Sequence, residues 1–273
     1  MILHLIAAAL PTSLAGCSGP QLDAAVKRVF EPKRSAQQYM LIAVSDTDAD
    51  ARRSAVARIA QSKDSRADWA IKGYVAIALL ENDTQARLVA IRALADSDDP
   101  RGVETLMKLL NHQDFPPQEV RPPDALCRWD ALTGVARLVE SGAVKPEQHA
   151  AVRDAFLRDL ENPDRNVRIA AARGLGTLPG NDAALDKLIA GLRDEQFAVA
   201  FECENSLMRL TGVTNDCNPA AWESWREANR AAPFARAGQI PDSHRLPYGN
   251  RWEKMAHDTR QLVRWAFPED KPR

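Results

Sequence analysis

Apolar and polar positions follow a recurring phrase through the middle of the chain. Four segments carry it: DADARRSAVARI (48–59), DTQARLVAIRAL (83–94), DALCRWDALTGV (124–135) and DRNVRIAAARGL (164–175). Each has an Asp, an Arg four residues on, an Ala three after the Arg and an aliphatic residue seven after it. A fifth copy, QFAVAFECENSL (196–207), has Gln196, Ala200 and Cys203 at those places and keeps Leu207. Successive Arg-equivalent positions lie 35, 41, 40 and 32 residues apart. Offsets of three, four and seven put side chains on one face of a helix. The Ala admits a neighbouring helix closely, and the aliphatic residue fills the layer one turn further on. The leading Asp can cap free backbone amides at the positive end of the helix dipole. The Arg lies within ion-pair reach of it, so the phrase predicts the pairs Asp48–Arg52, Asp83–Arg87, Asp124–Arg128 and Asp164–Arg168. Exposed pairs are worth only tenths of a kcal/mol, so packing of the apolar face must supply most of the stability.

A second amphipathic segment precedes each copy, at 35–44, 69–80, 102–110, 149–160 and 182–192. Short turn signals such as ENDT and ENPDRN join the partners. The unit is a helix pair of about 35–40 residues, which cannot bury its apolar stripe alone and must stack on neighbours. The fold class is therefore all-α, an α-solenoid.

The second-helix phrase, Asp-x-x-Val-Arg-x-x-Ala-x-x-x-Leu in its fullest form, resembles that of HEAT or HEAT-like repeats. The segment LTGVTNDCNPAAWESW (210–225) is similar to the capping end of many bacterial HEAT arrays, where Thr-Gly leads through an Asn-Pro turn into an Ala-Trp-x-x-Trp helix. The resemblance covers residues 35–230. It implies a right-handed solenoid of five HEAT-like pairs, with Trp222 and Trp225 on a capping helix over the last one. It also implies protein–protein scaffolding and no particular reaction.

The third pair is irregular. Its helices are joined by NHQDFPPQEVRPPD (111–124), which holds four prolines. A long loop in one repeat is a place to present contacts, and Phe115, Gln118, Glu119, Val120 and Arg121 are the candidate partner-binding residues. The plainer alternative is a proline-stiffened spacer. Beyond a linker at 231–250, RWEKMAHDTRQLVRWAF (251–267) predicts an amphipathic helix within a C-terminal segment, 251–273. Trp252, Met255, Leu262 and Val263 lie on its apolar side, and Arg251, Lys254, Arg260 and Arg264 supply charge. Trp252, Arg264 and Trp265 join the candidate partner contacts. Docking on the array, binding a partner and lying on an anionic membrane are all open to such a helix.

Composition adds limits. The formal net charge is −1 with acids and bases interspersed, which leaves no footprint for nucleic acid. Beyond Cys17 there are three cysteines, Cys127, Cys203 and Cys217, so at most one internal bridge can form, with Cys203 and Cys217 as candidates. Cys127 and Cys203 occupy packing positions and read as buried thiols.

The N-terminus opens with an apolar run, Met1 to Leu10, and ends in Leu14-Ala15-Gly16-Cys17. The run is too short to span a membrane, which takes about 20 apolar residues. It resembles a bacterial lipoprotein signal, although no Lys or Arg precedes the apolar run. That resemblance implies a signal peptide over 1–16, cleavage between Gly16 and Cys17, thioether lipidation of Cys17 and a tether over 17–34. The chain as a whole is similar to the HEAT-repeat lipoproteins common in bacteria such as Planctomycetes. Ser18, rather than Asp, resembles outer-membrane sorting. The expected location is the cell envelope, at the periplasmic face of the outer membrane. The expected partners are an envelope protein and the lipid membrane through acylated Cys17, with no nucleic acid and no evident small-molecule substrate.

Catalytic patterns are missing from the sequence. Its five histidines form no His-x-x-x-His or His-Glu pair, and there is no Cys-x-x-Cys, so neither a metal nor a cofactor is expected. Deoxyhypusine hydroxylases, which are HEAT-like, hold iron with repeated His-Glu pairs. No Gly-x-Ser-x-Gly elbow or phosphate loop occurs, and GLGTLPG (174–180) reads as a helix terminus. The function expected is a non-catalytic scaffold. The alternative is a HEAT-like enzyme, a lyase or metal-dependent modifying enzyme, whose site is invisible in sequence.

Overall fold

The structure, a computed structural model, describes residues 34–239 together with 241, 255, 256 and 259. Gly16 and Cys17, and Trp252, Arg264 and Trp265, lie outside the described residues. Among the described residues there are eleven α-helices and no strand. The first helices of the pairs are α1 (Ala36–Ser45), α3 (Asp68–Leu80), α5 (Pro100–Leu110), α7 (His149–Asp159) and α9 (Asp182–Gly191). The second helices are α2 (Ala49–Ala60), α4 (Thr84–Ser97), α6 (Ala125–Glu140), α8 (Arg165–Leu175) and α10 (Phe197–Thr211), and α11 (Pro219–Ala228) follows. None is long and apolar enough to cross a membrane.

The second helices pack directly on one another in the order α2, α4, α6, α8, α10, and each is flanked by its own first helix. The repeat phrase explains the close approach. Ala55, Ala90, Ala131, Ala171 and Cys203 are all buried, as are Ile59, Leu94, Val135, Leu175 and Leu207. One continuous core therefore runs the length of the stack. The fold is an all-α solenoid.

The leading Asp residues cap as expected. The carboxylates of Asp48, Asp83, Asp124 and Asp164 accept backbone N–H bonds from Asp50 (3.0 Å), Ala86 (2.8 Å), Cys127 (2.8 Å) and Asn166 (2.8 Å). The predicted Asp–Arg pairs within a helix are not what forms. Among the described residues none of the four Arg residues bridges to the Asp four before it; each reaches into the next repeat. Arg52 pairs with Glu81 at the end of α3, Arg128 with Asp159 at the end of α7, and Arg168 with Asp194 beyond α9. Arg52 and Arg168 also donate to carbonyls of their own turns, those of Asp46 and Asn162. The reason is competition: the capping carboxylate is already turned toward its own helix's free amides. Among the described residues Arg87 makes no ion pair; Pro122 stands where Glu81 and Asp194 stand in their repeats, two residues before the next cap position. The buried Arg87 guanidinium donates to the carbonyls of Ala78, Arg121 and Pro122 instead.

The two ends of the stack differ. Gly212 ends α10 with φ +70°, and a Cβ there would lie 2.3 Å from the Arg236 carbonyl oxygen, so only glycine fits. Asn218 caps α11 with Pro219 in its first turn. Trp222 is completely buried, and Trp225 packs edge-on to it at 5.3 Å between ring centroids. The Glu204 carboxylate, also buried, accepts from Thr214 Oγ1 (2.7 Å), Asn215 N (3.0 Å), Cys217 N (3.1 Å) and Trp222 Nε1 (2.6 Å). At the other end, α1 leaves Leu41 and Val44 exposed.

Candidate functional site

The five second helices share one register, so equivalent positions line up in rows across their uncovered face. Cross-helix ion pairs confirm the alignment. Arg92 Nε meets Asp130 Oδ2 at 2.6 Å, and Arg173 makes two parallel bonds to Glu202 at 3.0 and 3.1 Å. In both pairs the Arg stands five residues, and the acid two residues, after the repeat Arg or its equivalent. Arg137 pairs with Asp96 nine residues after theirs, and Arg209 Nη1 lies 3.6 Å from Glu140. Burial pushes the Asp130 carboxyl above its ordinary range even with Arg92 beside it.

One helical turn before this charged band runs an apolar row. Leu88, Trp129, Ile169 and Phe201 each follow the repeat Arg or its equivalent by one residue. Leu88 is buried, and Trp129 and Ile169 are half-buried. At the end of the row the apolar surface is bare: Phe201 is 50% exposed, and Phe197, one turn before it, is 73% exposed. Their rings sit together, 6.0 Å between centroids. At the other edge of the charged band is a groove of about 630 Å³, bounded by Glu140, Arg173, Glu202 and Arg209 and by Gly238, Gln239 and Pro241. The Gly238 N–H donates to the Arg209 carbonyl at 2.9 Å, which brings the chain onto this face just before residue 240. Aromatic surface beside fixed, mutually neutralised charges suits a partner segment that is apolar on one side and polar on the other.

Sequence reasoning passed over Phe197 and Phe201. The signal was there in the degenerate fifth copy, where Phe replaces Arg165 and Ile169 of the copy before.

The proline-rich loop is placed differently from the expectation. Val120 is buried in the core, and Phe115 packs against the core beneath Lys108, whose Nζ is 5.6 Å from the ring centroid. The Arg121 N–H donates to the Leu79 carbonyl at 2.9 Å, while its own carbonyl accepts from Arg87. The loop thus fastens the third repeat to the second; Val120 is not on offer to a partner, whereas Phe115 is half-buried and borders a groove with Met107, Lys108 and Glu147. Gln118, Glu119 and Arg121 are exposed.

Cys127, Cys203 and Cys217 are free thiols. Burial pushes the Cys127 and Cys203 thiols up to about 12, so both stay neutral. Among the described residues, no three His, Cys, Asp or Glu side chains gather in a metal-holding cluster.

Two stretches of the chain, residues 86–112 and 167–194, match the PBS lyase HEAT-like repeat family. Two of the array's repeats are thus similar to HEAT-like repeats. Each matched stretch begins inside a second helix, α4 or α8, and runs through the first helix that follows it. A crystal structure of an engineered protein from the Northeast Structural Genomics Consortium has a similar fold. It is 20% identical, with a TM-score of 0.50, over 73% of this chain and 93% of that one. A second engineered protein from the same consortium is 19% identical, with a TM-score of 0.46, over 77% of this chain and the whole of that one. No curated protein matches the sequence.

Proposed function

We propose that this HEAT-like array is a non-catalytic scaffold of the bacterial cell envelope that binds another envelope protein through the uncovered face of its second helices. The observation that carries the reading is the bare Phe197–Phe201 pair at the end of an in-register apolar row. Clustered exposed aromatics on a rigid support are typical anchors of protein interfaces. The Leu-Ala-Gly-Cys box supports the address: a lipid on Cys17 holds the array at the periplasmic face of the outer membrane. The test is affinity purification from detergent-solubilised envelope. The native chain recovers a stoichiometric partner, and the double variant Phe197→Glu/Phe201→Glu loses it while folding normally. A partner retained by the double variant overturns the choice of face. In parallel, Cys17→Ser moves the protein out of the membrane fraction, and a variant that stays there overturns the anchor.

A further inference from the structure

Besides Leu41 and Val44 on α1, the described residues leave two further apolar surfaces uncovered toward the C-terminal end of the chain. One is the Phe197–Phe201 pair on α10. The other belongs to the C-terminal segment. Met255, Ala256 and Thr259 are helical and exposed, with Met255 52% exposed, and Thr259 Oγ1 donates to the Met255 carbonyl one turn back at 2.8 Å. The sequence around them repeats apolar residues at helical spacing: Trp252, Met255, Leu262, Val263 and Ala266.

The two surfaces are joined by a short connection that starts on the right face. Gly238, Gln239 and Pro241 border the charged groove formed by α6, α8 and α10, so the chain departs from the second-helix face and not from the layer of first helices. The nine residues 242–250 reach up to about 30 Å when extended. A helix over 251–267 is about 25 Å long, and packed helices lie about 10 Å apart, so it would cross three second helices. A tether of this kind gives an effective concentration of order millimolar, enough to populate a weak contact.

We propose that residues 251–267 dock as an amphipathic helix across the second-helix face, over Phe197 and Phe201, and compete there with the protein partner. This rests on the reading of that face as the partner site. Partner binding would then require displacement of the helix.

The experiment is hydrogen–deuterium exchange on the full chain without partner. An isolated helix of this length is marginal in water, so protection of its amides reports docking. Amides of 251–267 are expected to exchange about tenfold faster in Phe197→Glu/Phe201→Glu than in the native chain, with α6, α8 and α10 unchanged. Met255→Glu should do the same from the other side. Equal exchange of 251–267 in all three proteins overturns the proposal, as does protection that appears only when anionic phospholipid vesicles are added. No partner is present in this experiment. A negative result therefore leaves partner recovery by the native chain standing, and loss of recovery in the double variant is read separately.

Discussion

The Arg168 guanidinium on α8 grips the Asp194 carboxylate beyond α9 with two parallel bonds, Nε to Oδ2 at 2.8 Å and Nη2 to Oδ1 at 3.0 Å. The same Arg donates through Nη1 to the carbonyls of Asn162 and Pro163 in its own turn. One side chain thus ties the turn of one repeat to the helix end of the next. Arg168→Lys keeps the charge but loses the fork. Both Arg168→Lys and Arg168→Ala should destabilise the array, with Ala costing about 1–3 kcal/mol because charged hydrogen bonds are lost and Asp194 is left largely buried. Urea unfolding measures it. Equal midpoints for native and Ala proteins would refute the inter-repeat role.

At the far end, Glu204 should behave as a latch. Each of its oxygens accepts two donors, so an amide in its place must turn an NH2 group toward N–H or O–H groups. Glu204→Gln is expected to cost about 2–4 kcal/mol and to speed amide exchange in 213–228 more than in α2 or α4. Trp222→Phe removes one donor and should show a milder form of the same pattern. Uniform loosening across the array would mean that the latch is not local.

Much of this was legible from spacing alone. The Ala and aliphatic positions of the phrase gave the pairs, their order and their buried face, because a 3.6-residue period shows in sequence. The capping Asp residues were legible for the same reason. The partners of Arg52, Arg128 and Arg168 were not, since Glu81, Asp159 and Asp194 lie 26 to 31 residues away and are brought close only by stacking. The burial of Val120 was likewise hidden, because nothing local shows that Arg87 would need the loop's carbonyls. Phe197 and Phe201 became visible as a site only when the register showed that they end a row.

Acid should weaken the array. Arg101 beside Asp99 holds its carboxyl below the usual range. Burial alone would raise Asp194, but Arg168 and the Gln196 amide outweigh it and the net shift is downward. Stability from both groups is complete above the unfolded pKa of about 4 and is lost as pH falls through the lower folded values. Asp130 has the opposite sign: its raised folded pKa makes its contribution fade as pH rises. Urea midpoints should therefore fall between about pH 5 and pH 3. At pH 7, Asp130→Asn should cost less than Asp194→Asn. A midpoint that is flat down to pH 3, or the reverse order of the two variants, would contradict these assignments.

The most direct test of the second-helix face as the partner site is photocrosslinking in living cells. A photoreactive side chain replaces Phe201 on α10 in one strain and the exposed Glu104 on α5 in another. The expected result is a discrete adduct, heavier than the chain itself and containing one envelope protein, from position 201 and none from position 104. Adducts from 104 with none from 201 would place the partner on the first helices and contradict the assignment.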